Sequence, residues 1–80
     1  MSYSEAIAKR ITDLCAKRNI TINKLATLSG IRQSTIDSIL KGAGKNPQLK
    51  TLHKLAIGLE MSVSELLDFP EMNETLFDDE

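Results

Sequence analysis

Hydrophobic residues recur at helical spacing along most of the chain, and no segment alternates apolar and polar residues as a strand does. The first helical segment, from about Ser4 to Arg18, has its apolar side at Ile7, Ile11, Leu14 and Cys15. Four more segments follow, from about Ile22 to Leu28, Gln33 to Lys41, Gln48 to Glu60 and Ser62 to Asp68. The pattern therefore predicts an all-α fold of five helices.

Residues that favour helix ends separate these segments. Ser2 with Glu5, or Ser4 alone, can cap the first helix, and Thr21 can cap the second. Asn19 tolerates the left-handed backbone that often ends a helix, so it can close the first. A Ser-x-x-Glu capping box opens the fifth helix at residue 62, and we expect Pro70 to end that helix.

The second and third predicted helices are joined at Ser29-Gly30, where glycine permits a tight turn. The third helix has an apolar side at Ile36, Ile39 and Leu40. Its opposite side is a polar stripe made of Gln33, Ser34, Asp37, Ser38 and Lys41. Two short amphipathic helices around a glycine turn form a helix-turn-helix arrangement. We therefore expect the rest of the chain to hold this stripe against a groove of DNA.

The chain is small enough to form only one domain. Of its 80 residues 41% are hydrophobic, which is enough for one modest core. A single cysteine cannot form an internal disulfide and suits a reducing cytoplasm. No apolar run reaches the roughly 20 residues of a membrane span. We expect a domain over residues 1–69 and an acidic, disordered tail over residues 70–80.

Charge is distributed unevenly although the net charge is only −1. All ten Lys and Arg residues lie between Lys9 and Lys54, where only Asp13 and Asp37 are acidic. The last ten residues contain five acids and no base. A basic body with an acidic tail indicates a module that binds a polyanion. A solvated surface with an acidic end fits the charge pattern equally well, so charge alone leaves both interpretations open.

Several short motifs occur in a characteristic order between about Ile7 and Leu67. They are Leu25-Ala26, Gly30-Ile31, Ser34-Thr35-Ile36, Gly42, Pro47, Thr51-Leu52, Leu55-Ala56, Leu59 and Val63 to Leu66. In order and spacing the chain resembles the Cro/CI-type phage-repressor helix-turn-helix family, also called the xenobiotic-response-element family. The resemblance implies a compact five-helix, lambda-repressor-like domain. It also implies a homodimer that binds double-stranded operator DNA and regulates transcription, most often as a repressor.

The resemblance also implies which side chains contact DNA, because the third helix of the family enters the major groove. The expected base-reading residues are Gln33, Ser34, Asp37 and Ser38. The expected phosphate-binding residues are Thr21, Lys24, Arg32, Thr35, Lys41, Lys45 and Asn46. Gln can pair with adenine, Ser with several bases, and Asp with the amino group of cytosine. A second possibility for Asp37 is that it orients Arg32 or Lys41.

The chain departs from the family pattern at three places. Ile22 stands where the family often has a phosphate-binding Gln, so that contact must be lost or replaced, for example by Lys24 or the amides of helix 2. Cys15 and Leu40 occupy the positions of a buried Arg–Glu pair. Apolar groups can replace such a pair without loss of stability, so we expect Cys15 to be a core residue against Leu40 rather than a redox sensor. Arg32 replaces a small helix cap.

The sequence offers alternatives for the dimer surface and for a further partner. Leu66, Leu67 and Phe69 are candidates for a dimer interface, although packing onto Ile7 and Ile11 of the same chain explains them nearly as well. No residue set is arranged for catalysis or for a metal, so we expect neither an enzyme nor a cofactor. The alternative function is a protein-interaction module on the same fold, such as an antitoxin or a partner-controlled regulator, with the acidic tail as a contact.

Overall fold

The structure is a computed structural model that describes residues 2–41 and 46–74. All of the regular secondary structure in these two ranges is helical. The helices are α1 (Tyr3–Arg18), α2 (Ile22–Ser29), α3 (Gln33–Leu40), α4 (Leu49–Gly58), α5 (Val63–Leu66) and α6 (Pro70–Glu74). The all-α prediction is confirmed, and the five predicted helices lie close to the expected bounds. None of the described helices has the length and apolar character that crossing a membrane would require.

The helix ends follow the predicted local chemistry. Ser2 and Glu5 form a complete capping box at the start of α1, and Thr21 Oγ1 accepts the backbone N–H of Lys24 at 3.0 Å. Asn19 ends α1 in the left-handed conformation at φ 55°, and Gly30 ends α2 at φ 68°. The two left-handed residues set the angles at which α2 follows α1 and α3 follows α2.

One hydrophobic core joins all of the helices. Its buried residues are Ala6, Ile7, Ile11, Leu14, Cys15, Leu25, Ala26, Ile36, Ile39, Leu55, Ala56, Leu59, Leu66 and Phe69. The structure buries Cys15 as predicted, and Leu40 is partly buried against the same core. Burial raises the pKa of the Cys15 thiol. A thiol that stays protonated is a poor nucleophile, which agrees with a packing role.

Arg10 of α1 fastens the end of α5 to the core. Its Nε donates to the carbonyl of Leu66 at 2.9 Å, and its guanidinium also donates to the carbonyl of Glu65 at 2.8 Å. The guanidinium carbon lies 5.3 Å from the centre of the Phe69 ring. The Glu65 carbonyl also accepts the backbone N–H of Asp68 at 3.2 Å, and Arg10 adds a side-chain donor to this last turn of α5.

The three residues expected at a dimer interface are mostly buried inside their own chain. Leu66 is 0% exposed and Phe69 is 6% exposed, while Leu67 is partly buried. The expectation that all three face a partner therefore requires correction. Leu66 and Phe69 pack in their own core, which was the alternative explanation, and only Leu67 retains exposed surface.

Residues 70–74 form a sixth helix where the sequence predicted the start of a disordered tail. Pro70 is its first residue, because the fixed φ of proline suits the first turn of a helix. Met72 packs against the core, and Glu71 Oε2 lies 3.0 Å from Lys9 Nζ of α1. This hydrogen bond lowers the pKa of the Glu71 carboxyl. The remaining predicted tail, and any partner contact on it, concerns residues 75–80, outside the described part of the chain.

Helices α2 and α4 are in close contact at Gly58. A β-carbon added to Gly58 would overlap Ser29 Oγ and would lie 3.1 Å from the backbone N and Cα of Ser29. Ser29 is itself buried, so neither helix can move aside without disturbing the core. The absence of a side chain at residue 58 therefore lets α2, the first helix of the helix-turn-helix, pack onto α4.

Replacing Gly58 by alanine is expected to destabilise the domain by about 1–2 kcal/mol. Overpacking costs about 1–3 kcal/mol, and the better helix propensity of alanine offsets up to about 1 kcal/mol of that. Urea denaturation followed by circular dichroism measures the change. Adding Ser29→Ala to Gly58→Ala should restore only part of the loss, because the backbone contact remains. A Gly58→Ala variant as stable as the wild type would contradict this close approach.

Candidate nucleic-acid interface

Helix α3 has one buried side and one exposed side. Ile36 is 0% exposed and Ile39 is 8% exposed, and both pack in the core. All four residues predicted to contact bases are exposed, namely Gln33, Ser34, Asp37 and Ser38. Because the side chains of Ser34 and Ser38 are small, the backbone of α3 can approach a partner closely. The structure thus places the predicted polar stripe together on the outer side of a helix anchored by isoleucines.

Gln33 and Asp37 are joined within the stripe. Gln33 Nε2 donates a hydrogen bond to Asp37 Oδ1 at 2.9 Å. The two residues are one helical turn apart, which is the spacing at which side chains on a helix meet. The sequence analysis offered a second role for Asp37, that of orienting Arg32 or Lys41. In the structure the Asp37 carboxylate accepts its hydrogen bond from Gln33.

The start of α2 lies at the end of a tight connection from α1. Thr21 caps α2 through its Oγ1, and its hydroxyl proton remains able to donate to a phosphate. Lys24 is exposed on the first turn. Ile22 is partly buried and packs against the core, so it contributes to stability where the family's Gln would contribute a phosphate contact.

Two exposed cations mark the ends of α3. Arg32 is the N-cap residue and makes no capping bond with its side chain, while Lys41 is the C-cap residue. Arg32 also lines a shallow cavity of about 300 Å³ with Lys50 and Lys54 of α4, and Thr35 of α3 lies at the same cavity. Three cations around one cavity make a surface suited to phosphate oxygens.

The two lysines of α4 were not among the predicted phosphate-binding residues. Lys50 and Lys54 are four residues apart, so the sequence places them on the same side of a helix. That spacing could have indicated a basic surface. Only the packed structure, however, shows that this side of α4 lies beside Arg32 at the start of α3.

Asn46 has a structural contact that the sequence did not predict. The Ser4 hydroxyl donates to Asn46 Oδ1 at 3.1 Å and thereby ties the segment before α4 to the first turn of α1. Ser4 is 5% exposed, so this bond satisfies a buried polar group. Asn46 is exposed, and its side-chain nitrogen is not used in this bond. Lys45, the neighbouring predicted phosphate ligand, lies outside the described residues.

Most acidic residues of the described chain lie on elements other than α3. Glu65 lies on α5, Asp68 in the connection that follows, and Glu71 on α6. Asp37 is the exception, since it lies within the polar stripe. Among the residues that the structure describes, no group of three His, Cys, Asp or Glu side chains could hold a metal ion.

A small helical domain with a left-handed glycine between α2 and an exposed polar α3 defines the helix-turn-helix class of DNA-binding domains. Residues 10–71 match the family profile of the Cro/C1-type HTH DNA-binding domain. The chain belongs to this family, so the resemblance inferred from its motifs is confirmed.

Relatives and solved structures agree with this assignment. The chain is 29% identical over 59 residues to the SPbeta prophage-derived HTH-type transcriptional regulator YopS of Bacillus subtilis (strain 168), a match covering 74% of this chain and 80% of YopS. It is 38% identical over 64 residues to the HTH-type transcriptional regulator SlrR of the same organism, covering 79% of this chain but only 42% of SlrR. The prophage Lp1 protein 11 matches with a TM-score of 0.81 and 36% identity, over 90% of this chain and 95% of that one. The protein is a DNA-binding regulator of transcription.

Proposed function

We propose that the protein is a homodimeric, cytoplasmic repressor that recognises its operator by inserting α3 into the major groove. The observation that carries the proposal is the two-sided structure of α3. Ile36 and Ile39 fix one side in the core, and the polar stripe is exposed on the other. A helix held rigidly with small and hydrogen-bonding residues outward fits the width of the major groove.

In this proposal the first turn of α3 supplies the main sequence preference. Gln33 makes a bidentate pair with adenine, in which its amide oxygen accepts from N6 and its amide nitrogen donates to N7. Ser34 and Ser38 form single hydrogen bonds, and their small size lets the helix approach the bases. Asp37 faces the same surface and is available to a cytosine amino group.

Phosphate contacts on both sides of the groove position the helix without reading sequence. The proposed contacts retained from the sequence prediction are Thr21, Lys24, Arg32, Thr35, Lys41, Lys45 and Asn46. Lys50 and Lys54 are added, because they share a cavity with Arg32.

A dimer follows from the small size of the recognition surface. One eight-residue helix offers few base contacts, and two-fold symmetry doubles them. Two copies of α3 would then lie about 34 Å apart on successive turns of the major groove and recognise a near-palindrome. Of the residues first expected at the interface, Leu67 is the one we retain, since Leu66 and Phe69 are buried.

Replacing Gln33 by alanine tests this proposal. The variant dimer is expected to lose at least about 30-fold in affinity for the preferred duplex, because each protomer loses a bidentate base contact that contributes about 1–3 kcal/mol of discrimination. Its affinity for a duplex of scrambled sequence and its salt dependence should not change. Fluorescence anisotropy with both duplexes measures this, and Thr12→Ala on the exposed side of α1 serves as the control. Equal loss on both duplexes would contradict base reading by Gln33.

A further inference from the structure

We propose that Asp37 is a positioning residue that fixes which way the Gln33 amide faces and so sharpens discrimination at one base pair. The inference rests on the proposed function of Gln33 as a base-reading residue. It assigns to Asp37 a role different from direct contact with cytosine. The evidence is the hydrogen bond between the two side chains on the exposed side of α3.

The chemistry of the pair permits only one amide orientation. An ionised carboxylate accepts hydrogen bonds and cannot donate them. The Gln33 nitrogen must therefore face Asp37, as it does at 2.9 Å, and the Gln33 oxygen must face away. The reversed amide would bring its oxygen against the carboxylate, where two acceptors repel each other. Asp37 thus distinguishes two orientations that are nearly equal in energy for an isolated glutamine.

The fixed orientation matters because a glutamine amide has a donor at one end and an acceptor at the other. Nε2 carries two hydrogens, and the bond to Asp37 uses one of them. The second hydrogen and Oε1 stay available as an ordered donor–acceptor pair. Adenine offers a matching pair, an acceptor at N7 and a donor at N6. When the positions of the amide donor and acceptor are fixed, bases other than adenine fit less well. When the amide can turn over, it can form hydrogen bonds with those bases too.

Asp37 also opposes binding in a way that is independent of sequence. Its carboxylate approaches phosphates and weakens the affinity for every duplex, an effect that the cations Arg32 and Lys41 at the ends of the helix offset. The two effects of Asp37 are therefore separable by measurement. Charge repulsion changes all affinities by the same factor, whereas positioning changes the ratio between sequences.

The test compares three variants of Asp37 on duplexes that differ only at the base pair read by Gln33. Asp37→Asn and Asp37→Ala are expected to lower the preference for the best base about two- to fivefold, because a charge-assisted bond is roughly twice as strong as an ordinary pair one turn apart. Asp37→Glu keeps an acceptor-only group and should retain the preference. Asp13→Asn removes an equal charge from α1 and should leave the preference unchanged.

The outcomes separate this inference from the function on which it rests. In the variant with both Gln33→Ala and Asp37→Asn, the preference should equal that of Gln33→Ala alone. If Asp37→Asn strengthens binding to all duplexes by one factor and leaves the preference intact, the positioning role is wrong while Gln33 remains a base-reading residue. If Gln33→Ala itself leaves the preference intact, the proposed function of Gln33 fails, and the positioning role fails with it.

Discussion

Neutralising Arg32 and Lys41 together, as Arg32→Gln and Lys41→Gln, is expected to weaken DNA binding by the homodimer by more than about a thousandfold at 0.1 M salt. Each phosphate contact contributes about 0.9 to the slope of log affinity against log salt concentration, so a dimer that loses two contacts per protomer lowers the slope by about 3.6. Both side chains are exposed at the ends of α3 and leave the core untouched. The loss should be the same for preferred and scrambled duplexes, because phosphate contacts carry no sequence information.

A variant of equal net charge is the matched control for this prediction. Thr12→Asp on α1 and Ser64→Asp on α5 also lower the net charge by two, and both residues are exposed. We expect that variant to change affinity only slightly, since its charges lie on other helices. Binding measured from 0.05 to 0.5 M salt gives both slopes. Equal slopes for the two variants would show that overall charge, and not a phosphate contact at the ends of α3, governs binding.

Replacing Ile36 by alanine is expected to lower the free energy of unfolding by about 2–5 kcal/mol. Ile36 is 0% exposed, so truncation removes buried apolar surface and leaves a cavity beneath α3. In a domain of this size such a loss lowers Tm by about 10 °C or more. Thermal unfolding followed by circular dichroism measures the change.

Ile57 offers the same substitution in a different environment. It is 60% exposed on α4, so Ile57→Ala should change stability by less than about 0.5 kcal/mol. The difference between the two variants isolates the contribution of burial from that of side-chain chemistry. If Ile36→Ala were no more destabilising than Ile57→Ala, α3 would not be anchored in the core as described, and the rigid presentation of its polar stripe would lose its basis.

Local patterns were sufficient to predict most of the fold. The spacing of apolar residues gave the first five helices, and capping residues gave their ends, since Asn19 and Gly30 adopt the left-handed backbone that their chemistry favours. Pro70 was expected to end the fifth helix, and the sequence did not indicate that it also begins a sixth. Proline both disrupts a preceding helix and suits the first turn of a new one, and only the packing of Met72 against the core shows which applies.

The candidate site was predictable in part. The stripe on α3 follows from helical periodicity, and its exposure agrees with the prediction. The bond between Ser4 and Asn46 joins residues far apart in sequence, so no local pattern could indicate it. The cavity shared by Arg32 and Lys54 likewise depends on how α4 packs beside α3. Burial of Leu66 could not be distinguished from a dimer contact, because both require the same apolar side chain.

Selection of bound sequences from random duplex DNA tests most directly whether α3 reads bases as part of a dimer. The predicted result is an enriched near-palindrome whose half-sites are centred about 10 base pairs apart, with an adenine preference in each half-site that Gln33→Ala abolishes. Failure of the wild-type protein to enrich any sequence, or enrichment of a motif that Gln33→Ala leaves unchanged, would contradict the recognition that we propose.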